Sequence, residues 1–506
     1  MKLPWLWGLF FGSLLLGGRM AAQPPNRFEL PFRPNILWLV AEDLSPVIPP
    51  FGDSTVQTPN LSRLAAEGVC YERFFSPAPV CAPARAAIAT GKYPVTIGAN
   101  HMRTGPWFAP DLPDSILQRF RRYWPPGIPL YEAVPPPEVR MMSELLRAAG
   151  YYCTNNAKED YQFRRTLTAW DESSNRAHWR KRPPGKPFFA VFNFGVTHES
   201  QIWAKQNDSL LVPPELPVPV PPYLPDTEVG RRDVRRMYSN VVEMDAQVGE
   251  ILRQLEADGL LDSTVIFWYT DHGGPLPRQK RMLYDSGIRV PLIVRFPGGR
   301  WGGLRDGRLL SFIDLAPTVL SLAGLKPPDW MDGRSFLGPY ATRQERRYLF
   351  AAADRFDETT DHVRAVRDSR FKYIRYLEPD KPMFLHVQYR DQMPIMQELY
   401  RLRDKGRLSY EQALWFRSRK PPEELFDTQT DPHELHNLAE DPRYRAKLLE
   451  LRRALDDWLQ THEDLCLLPE KELLKRFWPE GRQPQTAAPR LTQTQNRIAL
   501  ECPTEG

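Results

Sequence analysis

The chain has 506 residues, of which 42% are apolar and 25% charged, enough for one large domain and a smaller one. Its formal charge of +5 is mild for that length and gives no reason to expect nucleic acid or a membrane surface as partner. Cys70, Cys81, Cys153, Cys466 and Cys502 are too few, and odd in number, for a disulfide framework, although Cys466 and Cys502 are candidates to pair near the C-terminus.

Lys2, an apolar run over residues 6–16 and the small residues Gly17, Gly18, Ala21 and Ala22 predict a signal peptide over 1–22. The protein is therefore expected to be exported, periplasmic or secreted. The run falls short of the roughly 20 residues of a membrane span, so no stable membrane association is expected; an uncleaved anchor is the alternative.

Ile36-Leu37-Trp38-Leu39-Val40 is an unbroken apolar run that ends in Ala41-Glu42-Asp43. It reads as a strand buried on both faces, as in a parallel sheet. Thr58-Pro59-Asn60 opens a helix that Gly68 closes. Cys81-Ala82-Pro83-Ala84-Arg85 starts the next helix. A first turn tolerates Pro83, the alanines propagate the helix, and Gly91 ends it. Cys81 is thus placed at a helix N-terminus, where backbone N–H groups favour an anion, with Arg85 one turn on. On its own, Cys81 reads as a buried thiol beside a capping arginine.

A helix over 143–149 ends at Gly150 and leads through residues 151–156 to Lys158. Residues 187–194 form a second buried strand, ending near Thr197-His198-Glu199. Apolar residues at helical spacing predict one long helix over 229–255. Residues 264–270 are a third buried strand, ending in Asp271-His272-Gly273-Gly274, and residues 288–296 a fourth. The alternation predicts an α/β sheet with helices on both faces, its ligands at the edge where polar residues follow the strands. From about residue 346 short strand-like pieces and two helical stretches indicate a smaller α+β unit. Residues 483–506 are polar and read as loosely held.

Glu42 and Asp43 end one strand and Asp271 and His272 another. If those strands are neighbours, three carboxylates and an imidazole converge on a divalent cation, and so oxygen-rich a set suits Ca²⁺ or Mg²⁺ better than zinc. Taken singly, each acidic pair reads as a turn or helix cap. Lys158, His198 and Lys280 fall in loops after strands or apolar elements. With Cys81 and Arg85 they make a cation-rich pocket for a small tetrahedral dianion. Residues 176–182 are basic and aromatic, either a solvated face or the rim of a site for an acidic glycan.

Cys81-Ala82-Pro83-Ala84-Arg85 with Thr90-Gly91 resembles the signature of the type I sulfatases. Pro34-Asn35-Ile36-Leu37 leading to Glu42-Asp43 resembles their first metal strand, and Thr58-Pro59-Asn60-Leu61 the helix after it. Thr270-Asp271-His272-Gly273 resembles their second metal strand, Gly287-Ile288-Arg289-Val290-Pro291 the segment that follows, and Glu424-Leu425-Phe426-Asp427 with Asp431-Pro432-His433-Glu434 their C-terminal hallmark. Several ordered motifs over residues 34–442 are specific where one alone is not. Within that family the chain is similar to the carbohydrate branch, near the N-sulfoglucosamine sulfohydrolases.

The resemblance implies an alkaline-phosphatase-like three-layer α/β sandwich, with a catalytic domain over 33–345, a C-terminal α+β subdomain over 346–470 and a tail over 471–506. It implies hydrolysis of sulfate esters or N-sulfates of sulfated saccharides, with Cys81 converted to formylglycine by a maturation enzyme. Ca²⁺, or Mg²⁺, would be held by Glu42, Asp43, Asp271, His272 and the converted Cys81. Arg85 would orient the nucleophile, Lys158 and Lys280 neutralise sulfate oxygens, and His198 protonate the leaving alcohol. The chain departs from the family pattern in three places. Glu42 stands where Asp is commonest, Ala84 replaces the usual Ser, and Lys158-Glu159-Asp160 lacks the His of Lys-x-His. The base for sulfate release is then open, with His101 and His178 as candidates for it or for the substrate pocket. Two alternatives share these motifs: a phosphonate monoester or phosphodiester hydrolase of the same superfamily, and a non-catalytic glycan-binding relative.

Overall fold

A computed structural model describes residues 30, 33–102, 115, 118, 123–482, 487–488, 490–494 and 497–502. The predicted signal peptide lies outside the described residues.

Nine strands form the main sheet: β1 (Asn35–Ala41), β2 (Gly68–Phe75), β3 (Tyr152–Asn156), β4 (Glu172–Ser173), β5 (Phe188–Phe194), β6 (Thr264–Thr270), β7 (Arg289–Arg295), β8 (Leu304–Asp306) and β9 (Leu310–Ser311). The order is β4-β3-β5-β1-β6-β7-β2-β8, with β9 also on β2. β1 is parallel to β5 and β6, and Ala41 pairs with both Phe194 and Thr270, so three strands end level. Their polar continuations therefore meet at one edge. β7 runs against its neighbours β6 and β2, a departure from the expected parallel sheet. The link from β6 to β7 stays at the functional edge and contains no crossover to the far side, so the returning strand must be antiparallel.

Unbroken apolar strands are explained by cover on both faces. Ile36, Trp38 and Val40 of β1 point into one core, with Ala87 and Ile88 of the helix after β2, and Leu37, Leu39 and Ala41 into the other. In chain order the main helices are α1 (Pro59–Ala66), α2 (Cys81–Thr90), α3 (Met142–Ala148), α4 (Glu228–Ala257) and α5 (Leu315–Leu322). α2, α3 and α5 cover the first face; α1 and α4 cover the second. This is the three-layer arrangement expected.

A second, four-stranded antiparallel sheet follows: β10 (Leu349–Ala353), β11 (Val363–Arg367), β12 (Phe371–Tyr376) and β13 (Glu423–Asp427). α6 (Pro394–Asp404) lies against α4, and α7 (Arg445–Thr461) against β11 and β12.

The C-terminal residues differ from the expectation of a tail over 471–506. Residues Glu470–Phe477 form a helix, α8, with Leu473 and Phe477 buried. Phe477 packs against Gly98, where a Cβ would meet its ring at 2.2 Å. Glu470 binds Arg355 at 2.7 Å and accepts from the Tyr131 hydroxyl at 2.8 Å. Arg490–Thr494 and Arg497–Glu501 form a two-stranded antiparallel ribbon. Cys466 is buried and Cys502 exposed, and both are free thiols, so the candidate disulfide is absent. Among the described residues no helix is long and apolar enough to cross a membrane.

Candidate active site

α2 begins at Cys81 and ends at Gly91, whose φ of 72° is the left-handed conformation a glycine cap supplies. Cys81 thus sits at a helix N-terminus, buried at the edge where β1, β5 and β6 end together. Its Sγ lies 3.4 Å from His272 Nε2 and 3.9 Å from Asp43 Oδ1. Burial pushes the thiol up, but Lys280 and His272 outweigh it and hold it at about 7.

The carboxylates enter from two strand ends. Asp43 adopts a φ of 47°, uncommon for a residue with a side chain, and its Oδ1 stands 2.9 Å from His272 Nε2. Donor atoms of Asp43, Cys81, Asp271 and His272 lie within 4.8 Å of one another, as do those of Glu42, Asp43, Cys81 and His198. Glu42, Asp43 and Asp271 are buried. Burial would raise the Glu42 carboxyl, but Lys158, His198 and Arg85 bring it down to about 2. Burial would likewise depress the His272 imidazole, yet Asp271 and Asp43 lift it to about 10. Such demand for positive charge is what a bound cation satisfies, and three carboxylates with one imidazole fit a hard divalent ion. This is a possible metal-binding cluster.

Cationic side chains surround it. Arg85 binds Asp271 through Nε at 3.1 Å and donates from Nη1 to Asn193 Oδ1 at 2.7 Å. Lys158 Nζ is 3.1 Å from Glu42. Lys280 Nζ is 2.6 Å from Asp43 Oδ2 and 3.3 Å from His198 Nε2. Glu42, Asp43, Cys81, Arg85, Lys158, His198, Asp271, His272 and Lys280 therefore form one contiguous cluster.

The two remaining histidines do not join it. His178 caps a short 3-10 helix by accepting from the Arg180 N–H, contacts Gln254 of α4 at 3.1 Å, and packs on Trp179. His101 is buried beside β10, where Nδ1 accepts from the Arg355 N–H, and burial pushes its imidazole down to about 3. Each side chain is held by its local fold, and neither contacts the cluster. Two of the four cationic side chains in the basic stretch are paired within the chain, Arg180 with Asp258 and Lys181 with Glu172.

The structure adds residues that sequence reasoning did not single out. Glu199 is buried, binds Arg281 through two bonds of 2.8 Å, lies 3.1 Å from Lys280, and donates its N–H to Asp43. Asp160 is buried with Oδ2 3.9 Å from Lys158 Nζ and Oδ1 without a hydrogen-bond partner. It occupies the third place of Lys158-Glu159-Asp160, so the missing histidine was itself the signal.

The profile of the sulfatase family matches residues 34–325, and that of the N-sulphoglucosamine sulphohydrolase C-terminal region matches residues 278–404. An ulvan-active sulfatase of Formosa agariphila is 49% identical across 96% of this chain and 85% of its own length. A solved structure in complex with its substrate D-glucosamine-2-N,6-O-disulfate superposes with a TM-score of 0.60 at 16% identity, covering 85% of this chain and 98% of that one. The phosphonate monoester hydrolase of Silicibacter pomeroyi superposes with a TM-score of 0.57 at 20% identity, covering 86% and 96%. At such identities the two structures share the fold with this chain and establish nothing further.

Proposed function

The chain belongs to the sulfatase family and is a sulfuric ester hydrolase, and we propose that it desulfates a sulfated polysaccharide, ulvan included, through a formylglycine made from Cys81 and a Ca²⁺ or Mg²⁺ ion. The observation that carries this is the convergence of Cys81 with three buried carboxylates and with Arg85, Lys158, His198 and Lys280. The 49% identity to an ulvan-active sulfatase supports the choice of polymer.

Hydrated formylglycine would supply one hydroxyl as nucleophile for sulfur and a second whose deprotonation would re-form the aldehyde as the C–O bond to sulfate breaks, and the cation would lower the hydroxyl pKa and bind sulfate oxygens. Glu42, Asp43, Asp271 and His272 would hold that cation. The chain's own residues do the rest. Arg85, fixed between Asp271 and Asn193, orients the nucleophile. Lys158 and Lys280 neutralise charge on the sulfate oxygens. His198 Nδ1 accepts from the Ser200 backbone N–H at 3.2 Å, which leaves Nε2 facing Lys280 and the site, and the imidazole protonates the departing alcohol. Asp160 takes the place of the missing histidine as the base that assists sulfate release. Export through the leader at 1–22, and conversion of Cys81 by a separate maturation enzyme, belong to the same reading.

The test is product analysis on ulvan oligosaccharides, an aryl sulfate and an aryl phosphodiester, before and after chelation, with mass spectrometry of the tryptic peptide holding Cys81. Sulfate release that is lost on chelation, with formylglycine at position 81, is the expected result. Preference for the phosphodiester, or activity with only unmodified thiol, overturns it.

A further inference from the structure

Arg390 is 4% exposed, yet no carboxylate of the described residues lies within ion-pair distance of it. Its guanidinium makes one hydrogen bond, from Nη2 to the Leu385 carbonyl at 2.6 Å, and Nε has no partner. The group lies over the faces of Phe384 and Trp415, which pack edge-to-face on each other, 5.0 and 4.7 Å from their ring centres. Such stacking offsets only part of the cost of burying an unpaired ion. Stacking alone leaves the cation under-compensated. Burial and the neighbouring Arg281 accordingly depress its pKa to about 10.

Arg390 lines a cavity of about 50 Å³ whose walls are largely apolar, with Leu283, Phe356 and Val387 among them, and whose other charged residues are Arg281, Asp354, Asp361 and Lys420. That is room for a few waters or one small oxyanion, but not for a sugar ring. The other charges around it are matched: Asp354 by Arg364 at 2.7 Å, Lys420 by Asp361 at 2.8 Å, and Arg281 by Glu199 and Asp357. Arg281 is the wall shared with the active site, because its partner Glu199 also contacts Lys280. On the other side Tyr389, the neighbour of Arg390, meets the His198 ring edge-on at 6.3 Å.

We propose that this cavity is a second anion subsite, in which Arg390 binds a carboxylate or second sulfate carried by the saccharide whose sulfate ester is cleaved. This rests on the sulfatase reading above. A guanidinium fork matches either oxyanion through paired hydrogen bonds, and the Arg281 wall of the site is joined to Lys280 by two successive ion pairs through Glu199. Arg390 is thus a specificity residue, selecting saccharides with two anionic groups over simple sulfate esters.

The experiment measures binding by calorimetry in the Cys81→Ala background, where bound ligand is not consumed. The probes are a sulfated uronic-acid oligosaccharide, its carboxyl-reduced form, a disulfated oligosaccharide without uronic acid, and an aryl sulfate. Arg390→Gln is expected to weaken the dianionic oligosaccharides at least tenfold relative to the aryl sulfate, and Arg390→Lys to recover part of that selectivity. Carboxyl reduction that removes the Arg390 effect assigns the carboxylate; an effect confined to the disulfated ligand assigns the sulfate. Should Arg390→Gln not fold, the Cys81→Ala parent alone reads the preference for two anions over one. Equal affinity of the parent for singly and doubly anionic oligosaccharides overturns the subsite, as does equal weakening of all probes by a folded Arg390→Gln. Failure of the sulfatase reading is separate: wild-type protein would release no sulfate from any probe.

Discussion

Lys280 Nζ lies 2.6 Å from Asp43 Oδ2 and 3.3 Å from His198 Nε2, so one ammonium joins a proposed metal ligand to the proposed acid. Lys280→Ala removes the charge facing the sulfate oxygens and also the partner of a buried Asp43. We expect kcat on sulfate esters to fall by about 10²- to 10³-fold, the size of one lost donor at a developing charge. Steady-state kinetics on an aryl sulfate checks it; a loss under threefold would exclude Lys280 from the reaction.

His198→Ala should be sensitive to the leaving group. An acid that protonates the departing alcohol matters most when that alcohol is a poor leaving group. The variant is expected to lose roughly 10²- to 10⁴-fold on a saccharide sulfate and much less on a nitrophenyl sulfate. Equal losses on both substrates would remove His198 from that role.

Much of this site was legible in the sequence. Apolar runs ending in Glu42-Asp43 and Asp271-His272 marked two strands, and parallel register brought their ends together. β2 was not legible, because Glu72-Arg73 interrupts its apolar pattern where the register shifts between Tyr71 and Phe74. Glu199, Asn193 and Arg281 were hidden for another reason: each acts through a partner 80 to 110 residues away, and no local pattern encodes such a contact. The same holds for His101 and His178, whose contacts with Arg355 and with Gln254 no local pattern encodes.

Asp160→Asn separates the two halves of the reaction. With Asp160 as the base for sulfate release, the variant still expels alcohol once per enzyme and then stalls. A pre-steady-state burst followed by turnover reduced by about 10² or more is expected. Asp160→His, which restores the family pattern at that position, should recover turnover. Absence of a burst, with unchanged turnover, would show that release needs no help from Asp160.

α8 is predicted to be integral to the domain. Phe477→Ala empties the space beside Gly98 and should destabilise the protein by about 3 kcal/mol. The denaturation midpoint reports it, and a change within about 0.5 kcal/mol, ordinary for a surface position, would return α8 to the status of a tail.

His101 should make the protein acid-labile. Burial, the largest cause, holds its folded-state pKa at about 3, against 6.5 for the free side chain. Between those values the unfolded chain binds a proton that the folded chain does not, so stability from this group is intact above 6.5 and falls as pH drops. One pKa unit corresponds to about 1.4 kcal/mol, so going from pH 6.5 to 5 removes about 2 kcal/mol. His101→Gln, which keeps an acceptor for the Arg355 N–H, should abolish that increment whatever its effect at neutral pH. Urea midpoints at pH 7 and pH 5 for both proteins decide the point: parallel losses would show that His101 is not the titrating group.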